Sequence, residues 1–154
     1  MHFRRRAVVL LATLATLIGA NLIASTPAQA ATSCSGTVTH SQTFRGSDGS
    51  IIGELTIYYN SSNGGTNSAC FYHRGASYGV AANTYVLIMR CSQRSGEGRT
   101  CTSTAQSSPQ DGDFSYYAGP VGVTGTANYC VAAIGWITWR GVNYGKFDPL
   151  TRGC

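Results

Sequence analysis

Charge is scarce in this sequence. Asp, Glu, Lys and Arg make up 11% of it, and only six residues are acidic. Beyond the first few residues the cations are scattered: Arg45, Arg74, Arg90, Arg94, Arg99, Arg140, Lys146 and Arg152. No basic stripe forms, so nucleic acid is not an expected partner. A glycosidase needs two placed carboxylates. Of Asp48, Glu54, Glu97, Asp111, Asp113 and Asp148, most fall in expected turns, and only Glu54 sits inside an expected strand, on its polar face. No Cys-x-x-Cys pair occurs, and neither His40 nor His73 stands at finger-like spacing from a cysteine pair, so a zinc site is not expected. Long helical periodicity is missing after residue 30, which argues against bundles and α/β folds. No repeat or linker divides the chain.

The N-terminus carries an address. MHFRRR is a positive start, Ala7 to Ala24 holds no charged side chain, and Ala28-Gln29-Ala30 fits a small-x-small cleavage site. This is the layout of a secretory signal peptide. Residues 1–30 are expected to form a cleaved signal helix, and residues 31–154 a single mature β domain. The whole-chain balance of +5 then loses Arg4, Arg5 and Arg6 and falls to +2. No membrane association is expected after cleavage.

All six cysteines lie in the exported part: Cys34, Cys70, Cys91, Cys101, Cys130 and Cys154. An even count in a secreted chain reads as three disulfides. Cys91–Cys101 closes a short loop holding Gly96 and Gly98. The other four cysteines leave more than one pairing open, of which Cys34–Cys70 with Cys130–Cys154 is the simplest.

Period two dominates what lies between them. In GELTIYYN, Leu55, Ile57 and Tyr59 share one face and Glu54, Thr56, Tyr58 and Asn60 the other, a half-buried strand. TYVLIMRC is apolar on both faces, as a central strand covered on both sides would be. The pattern predicts about eight short strands, at roughly 36–44, 51–59, 69–74, 84–91, 99–104, 113–118, 120–125 and 128–140, the last broken near Gly135. Thr102 to Gly112, TSTAQSSPQDG, reads as a surface loop. The fold class is all-β: one small disulfide-bonded sandwich or barrel of short antiparallel strands.

Asp111-Gly112-Asp113 resembles a fragment of a calcium loop, but no Glu follows to close it. No metal and no cofactor are expected. Gly75-Ala76-Ser77-Tyr78-Gly79 matches the G-x-S-x-G pattern, yet both mature histidines precede Ser77 and no helix pattern follows it. His40, Asp48 and Ser77 stand in the protease order His, Asp, Ser, but Asp48 sits in a glycine-flanked turn. No catalytic residue is assigned, and the chain is read as non-enzymatic.

The segments NSACFYHR (Asn67 to Arg74), YAGPV (Tyr117 to Val121) and CVAAIGW (Cys130 to Trp136), with Cys154 at the end, carry a resemblance. In these the chain resembles the actinobacterial spore-associated protein A family, small exported proteins recovered with spores and aerial hyphae. Cys91 and Cys101 stand outside the four cysteines of that pattern. The resemblance implies a secreted protein at the spore or aerial-hypha surface, structural or coat-like, and brings no catalytic machinery.

Nine tyrosines and two tryptophans make a cell-wall carbohydrate-binding module the main rival. Tyr58, Tyr117 and Trp139 are the candidate surface contacts, forming a patch only if the fold gathers them. Trp136 and Trp139 are three apart, hence on opposite faces of an unbroken strand. A secreted protease inhibitor is a further alternative, with the Cys91–Cys101 loop and its Arg94 and Arg99 as the presented segment. The expected partners are a wall or spore-surface polymer, or other surface proteins.

Overall fold

The computed structural model describes residues 33–154; the signal peptide expected at residues 1–30 and its expected cleavage site lie outside them. Nine strands follow in order: β1 (Thr37–Arg45), β2 (Ile51–Asn60), β3 (Thr66–His73), β4 (Ala82–Cys91), β5 (Ser103–Gln106), β6 (Gln110–Phe114), β7 (Tyr117–Thr124), β8 (Val131–Trp139) and β9 (Val142–Lys146). They build two antiparallel sheets packed as a sandwich. The first runs β1-β2-β3-β7 and the second β5-β4-β8-β9, with β6 also paired to β4.

Alternation along the strands decides which side chains meet between the sheets. Ile52, Leu55, Ile57, Ala69, Phe71, Val121 and Val123 of the first sheet pack on Val86, Ile88, Val131, Ala133 and Ile137 of the second. Phe71 is the centre of this layer. It stacks on Phe44 at 5.6 Å, and both sheets offer it a glycine. A Cβ on Gly53 would lie 2.6 Å from the Phe71 ring, and one on Gly135 would lie 3.0 Å from it. The ring fits because neither facing residue has a side chain.

β4 is central and apolar on both faces. Val86 and Ile88 join the main core, whereas Leu87 and Met89 join a second cluster with Ala132, Cys91, Cys101 and Cys130. The Cys91–Cys101 loop and the C-terminal tail bond to each other beside it, through Cys101 N to Pro149 O at 2.8 Å and Thr151 N to Arg99 O at 2.8 Å. The disulfides are Cys34–Cys70, Cys91–Cys101 and Cys130–Cys154. Three such bonds place the chain in an oxidising, extracellular-type environment. No helix among the described residues is long and apolar enough to cross a membrane.

Four expectations about strand boundaries need correction. The polar stretch 102–112 is not a loop, because β5 and the start of β6 share one edge of β4, and Ser107 bridges them by donating its N–H to Ile88 O at 2.9 Å. Such an edge ladder is held by backbone bonds and needs no apolar alternation. Gly119-Pro120 does not separate two strands; β7 runs through it as the edge of the first sheet, where the register with β3 shifts. An edge with a shifted register tolerates a residue without an N–H. β8 is unbroken at Gly135, which pairs with Val86 on one side and Lys146 on the other. β9 is an additional strand, formed because the hairpin at Arg140-Gly141 returns the chain along β8.

Candidate functional site

The outer face of the first sheet gathers tyrosines. The β2–β3 register sets Glu54 opposite Tyr72 and Tyr58 opposite Ser68, and the β3–β7 register sets Tyr72 opposite Tyr117. Outward parity on three neighbouring strands therefore brings Tyr58, Tyr72 and Tyr117 together. The hydroxyls of Tyr58 and Tyr72 are 2.7 Å apart, and the Tyr72 and Tyr117 rings lie 5.8 Å apart, tilted by 46°. Burial, followed by the hydrogen bond with Tyr58, pushes the Tyr72 phenol up, well above the ordinary tyrosine value, so it stays protonated.

A balanced ion pair borders the rings. The Arg74 guanidinium sits 4.6 Å over the Tyr72 ring and donates to Glu54 at 2.8 Å. Glu54 also accepts from Ser41 at 2.7 Å and Thr56 at 3.1 Å. Burial pushes the Glu54 carboxyl up, but the hydrogen bonds from Ser41, Arg74 and Thr56 and the Arg74 charge outweigh it and hold it below the usual value. At the rim, Tyr78 and Tyr116 meet edge to face at 5.1 Å and are 61% and 54% exposed. Tyr116 O accepts from His73 N at 2.8 Å, which ties this rim to the end of β3.

The face thus offers phenol rings, hydroxyls and a neutralised ion pair, a surface suited to a polar, uncharged partner. Tyr58 and Tyr117 are parts of one patch, with Tyr72 between them. Trp139 is not part of it. Because β8 keeps its register, Trp139 takes the inward parity of Ile137 and packs half-buried against the core in the other sheet, with Arg140 over its ring at 5.7 Å. Trp136 faces out and stacks on Tyr85 at 4.0 Å and Phe147 at 5.6 Å. Tyr72, Arg74, Tyr78 and Tyr116 went unassigned in the sequence. Tyr72 was findable, since its strand neighbours Phe71 and His73 have the opposite parity; the rim tyrosines sit in turns with no periodic signal.

The serine and acids of the sequence patterns take the following places in the structure. Ser77 is buried, and its hydroxyl donates to Ile52 O at 2.5 Å and accepts from Arg74 N at 3.1 Å. Asp48 accepts from Ser50 N at 3.0 Å and Ser50 Oγ at 2.6 Å, an ordinary turn closure. Asp111 accepts from Asn83 at 3.0 Å. No cluster of three or more His, Cys, Asp or Glu that could hold a metal occurs among the described residues.

His73 is fully buried. Its Nδ1 lies 3.2 Å from Ser77 O and its Nε2 2.7 Å from Thr84 Oγ1. A carbonyl only accepts, so Nδ1 donates to Ser77 O; the Thr84 hydroxyl beside Nε2 itself donates to Ala82 O at 2.9 Å. Burial holds the imidazole below its ordinary value of 6.5. His40 is lowered as well, first by burial and then by Arg152. The unfolded chain therefore binds protons that the folded chain refuses. Stability should be complete above the unfolded value and decline as pH falls from it towards the folded value, by up to about 1.4 kcal/mol per pH unit for the buried His73 and by less for the solvent-screened His40. Urea midpoints at pH 7.5 and 5.5 test this; equal midpoints would refute it, and His40→Gln isolates the His73 share.

No protein-family model, curated protein or solved structure matches the chain.

Proposed function

We propose that this is a secreted, non-catalytic protein of the spore or aerial-hypha surface, coat-like, held to surface polymer or to neighbouring proteins by its tyrosine face. The observation that carries this reading is the patch of Tyr58, Tyr72 and Tyr117 beside a neutralised Arg74–Glu54 pair, with Tyr78 and Tyr116 exposed at its rim. Three disulfides suit persistence outside the cell. The resemblance to the spore-associated protein A family supports the location. Fractionation of medium, vegetative wall and spores, with non-reducing mass spectrometry, should place the chain processed after Ala30 in the spore or hyphal fraction. Recovery only from inside vegetative cells would end the proposal.

The same face favours a second reading, a cell-wall carbohydrate-binding module. Tilted aromatic rings with flanking hydroxyls provide both stacking and hydrogen bonds for a neutral sugar. Under this reading the protein is retained on insoluble peptidoglycan, chitin or cellulose at raised salt and released by free sugar. Tyr117→Ala should weaken retention roughly tenfold, the ~1.4 kcal/mol that an exposed aromatic anchor contributes. Unchanged retention would remove the face from the account. The inhibitor reading finds less to build on: the Arg94 guanidinium lies over the Tyr129 ring at 4.6 Å and donates to its hydroxyl at 2.9 Å, rather than projecting from its loop.

A further inference from the structure

A cleft opens at the end of the sandwich remote from the Tyr78–Tyr116 rim. It has a volume of ≈ 380 Å³ and is lined chiefly by Thr39, Tyr59, Asn67, Thr126, Asn128 and Tyr129, with the end of the C-terminal tail along one side. That size falls within the range of small-molecule sites, roughly 300–1,000 Å³.

Two features set it apart from an incidental gap. The first is a break in the core pattern. Ile57 and Leu55 on β2, and Ala69 and Phe71 on β3, point into the core. The next residues of that parity are Tyr59 and Asn67, which face each other in the ladder. An amide thus occupies a core row at 2% exposure, where an apolar side chain would pack without desolvation cost. The second is Thr126. It is also 2% exposed, and its hydroxyl finds no partner among the described residues. A buried hydroxyl without a partner is uncommon and destabilising.

The walls are rigid. Thr126 N donates to Gly65 O at 3.0 Å, Ala127 N to Gly64 O at 2.9 Å and Tyr129 N to Thr126 O at 2.9 Å. Gly65 has φ +89°, and a Cβ there would lie 2.4 Å from Ala127 N, so this close approach requires glycine. The Cys130–Cys154 disulfide fixes the opposite side.

We propose that this cleft is a binding site for a single neutral sugar residue, independent of the tyrosine face. None of the lining side chains is itself charged; Arg90 and Arg94 lie over the Tyr129 ring, and Arg94 is engaged by the Tyr129 hydroxyl, so the lining groups a ligand meets are uncharged donors and acceptors. Hydroxyls and amides match the mixed donors and acceptors of sugar hydroxyls, and Tyr59 and Tyr129 supply ring surface. Thr126 lines the cleft and its buried hydroxyl has no partner among the described residues; rotation about its Cα–Cβ bond is the movement by which that hydroxyl would reach a ligand.

The test is amide chemical-shift titration of the oxidised protein, produced by secretion from its full-length chain, with N-acetylglucosamine, glucose and glucuronate. The two neutral sugars should cause saturable shifts at Asn67, Thr126, Asn128 and Tyr129, and glucuronate markedly weaker ones. Thr126→Val keeps the shape and should weaken binding about three- to tenfold, one hydrogen bond's share, without loss of stability. Asn128→Gly, which suits the local φ of 65°, should weaken it too, whereas Tyr117→Ala should leave it unchanged. Shifts confined to Tyr58, Tyr72 and Tyr117, equal response to glucuronate, or none with any sugar at millimolar concentration would each overturn the assignment. The last two outcomes leave the tyrosine-face reading to its own retention test.

Discussion

Phe71→Ala is expected to lower stability by about 3–5 kcal/mol, the range for truncating a fully buried aromatic ring. The cost should lie near the upper end, because the site cannot collapse easily. Phe71 stacks on Phe44 and has Gly53 on one side and Gly135 on the other. Neither glycine has a side chain to move into the space, and both belong to paired strands whose backbones are fixed by their ladders. The reciprocal change follows from the same geometry. Gly53→Ala places a methyl 2.6 Å from the Phe71 ring, and overpacking of that kind costs about 1–3 kcal/mol. Gly53→Ala combined with Phe71→Leu should be less damaging than the sum of the two single changes, since each relieves the other. Urea unfolding of the four proteins measures this coupling. Strict additivity would mean that the ring and the glycine do not share one space.

The second large effect is a ranking of the disulfides. Their sequence separations are 36 for Cys34–Cys70, 24 for Cys130–Cys154 and 10 for Cys91–Cys101. If each acts mainly by restricting the unfolded chain, removal costs about 3.8, 3.4 and 2.7 kcal/mol in that order. Paired Cys→Ala variants avoid leaving an odd thiol. Cys34–Cys70 should matter most for a second reason: Cys70 is fully buried on β3, and its partner anchors the segment preceding β1. Ser68 Oγ adds one bond to that segment, donating to Ser33 O at 2.6 Å. A reversed order, with the Cys91–Cys101 pair most costly, would show that native packing around the loop outweighs chain entropy.

Much of the sandwich was legible in its central strands. Leu55 and Ile57 alternate with Glu54 and Thr56 because one face of β2 enters the core and the other carries polar side chains that bond to one another, and β4 is apolar on both faces because two clusters cover it. The edges were harder to read. β5 and β6 lie at the rim of the second sheet, where backbone pairing holds polar residues as well as apolar ones, so Ala105 to Gly112 gave no strand signal and the strand expected at 99–104 falls too early. At Gly119-Pro120 the residues that usually stop a strand fall inside one, since an edge with a shifted register can accommodate them. The short spacing of Cys91 and Cys101 pointed to their bond, whereas the other two pairs bring together residues far apart in the chain.

By itself the amino-acid order determined the class of fold and the pool of aromatic side chains, because alternation and composition are local properties. Only the tertiary structure decided which of those side chains meet. Tyr58, Tyr72 and Tyr117 converge because strands from distant parts of the chain pair in one register, and Trp139 turns inward because β8 does not slip. Register and sheet order depend on long-range pairing, which a strand's own pattern does not encode.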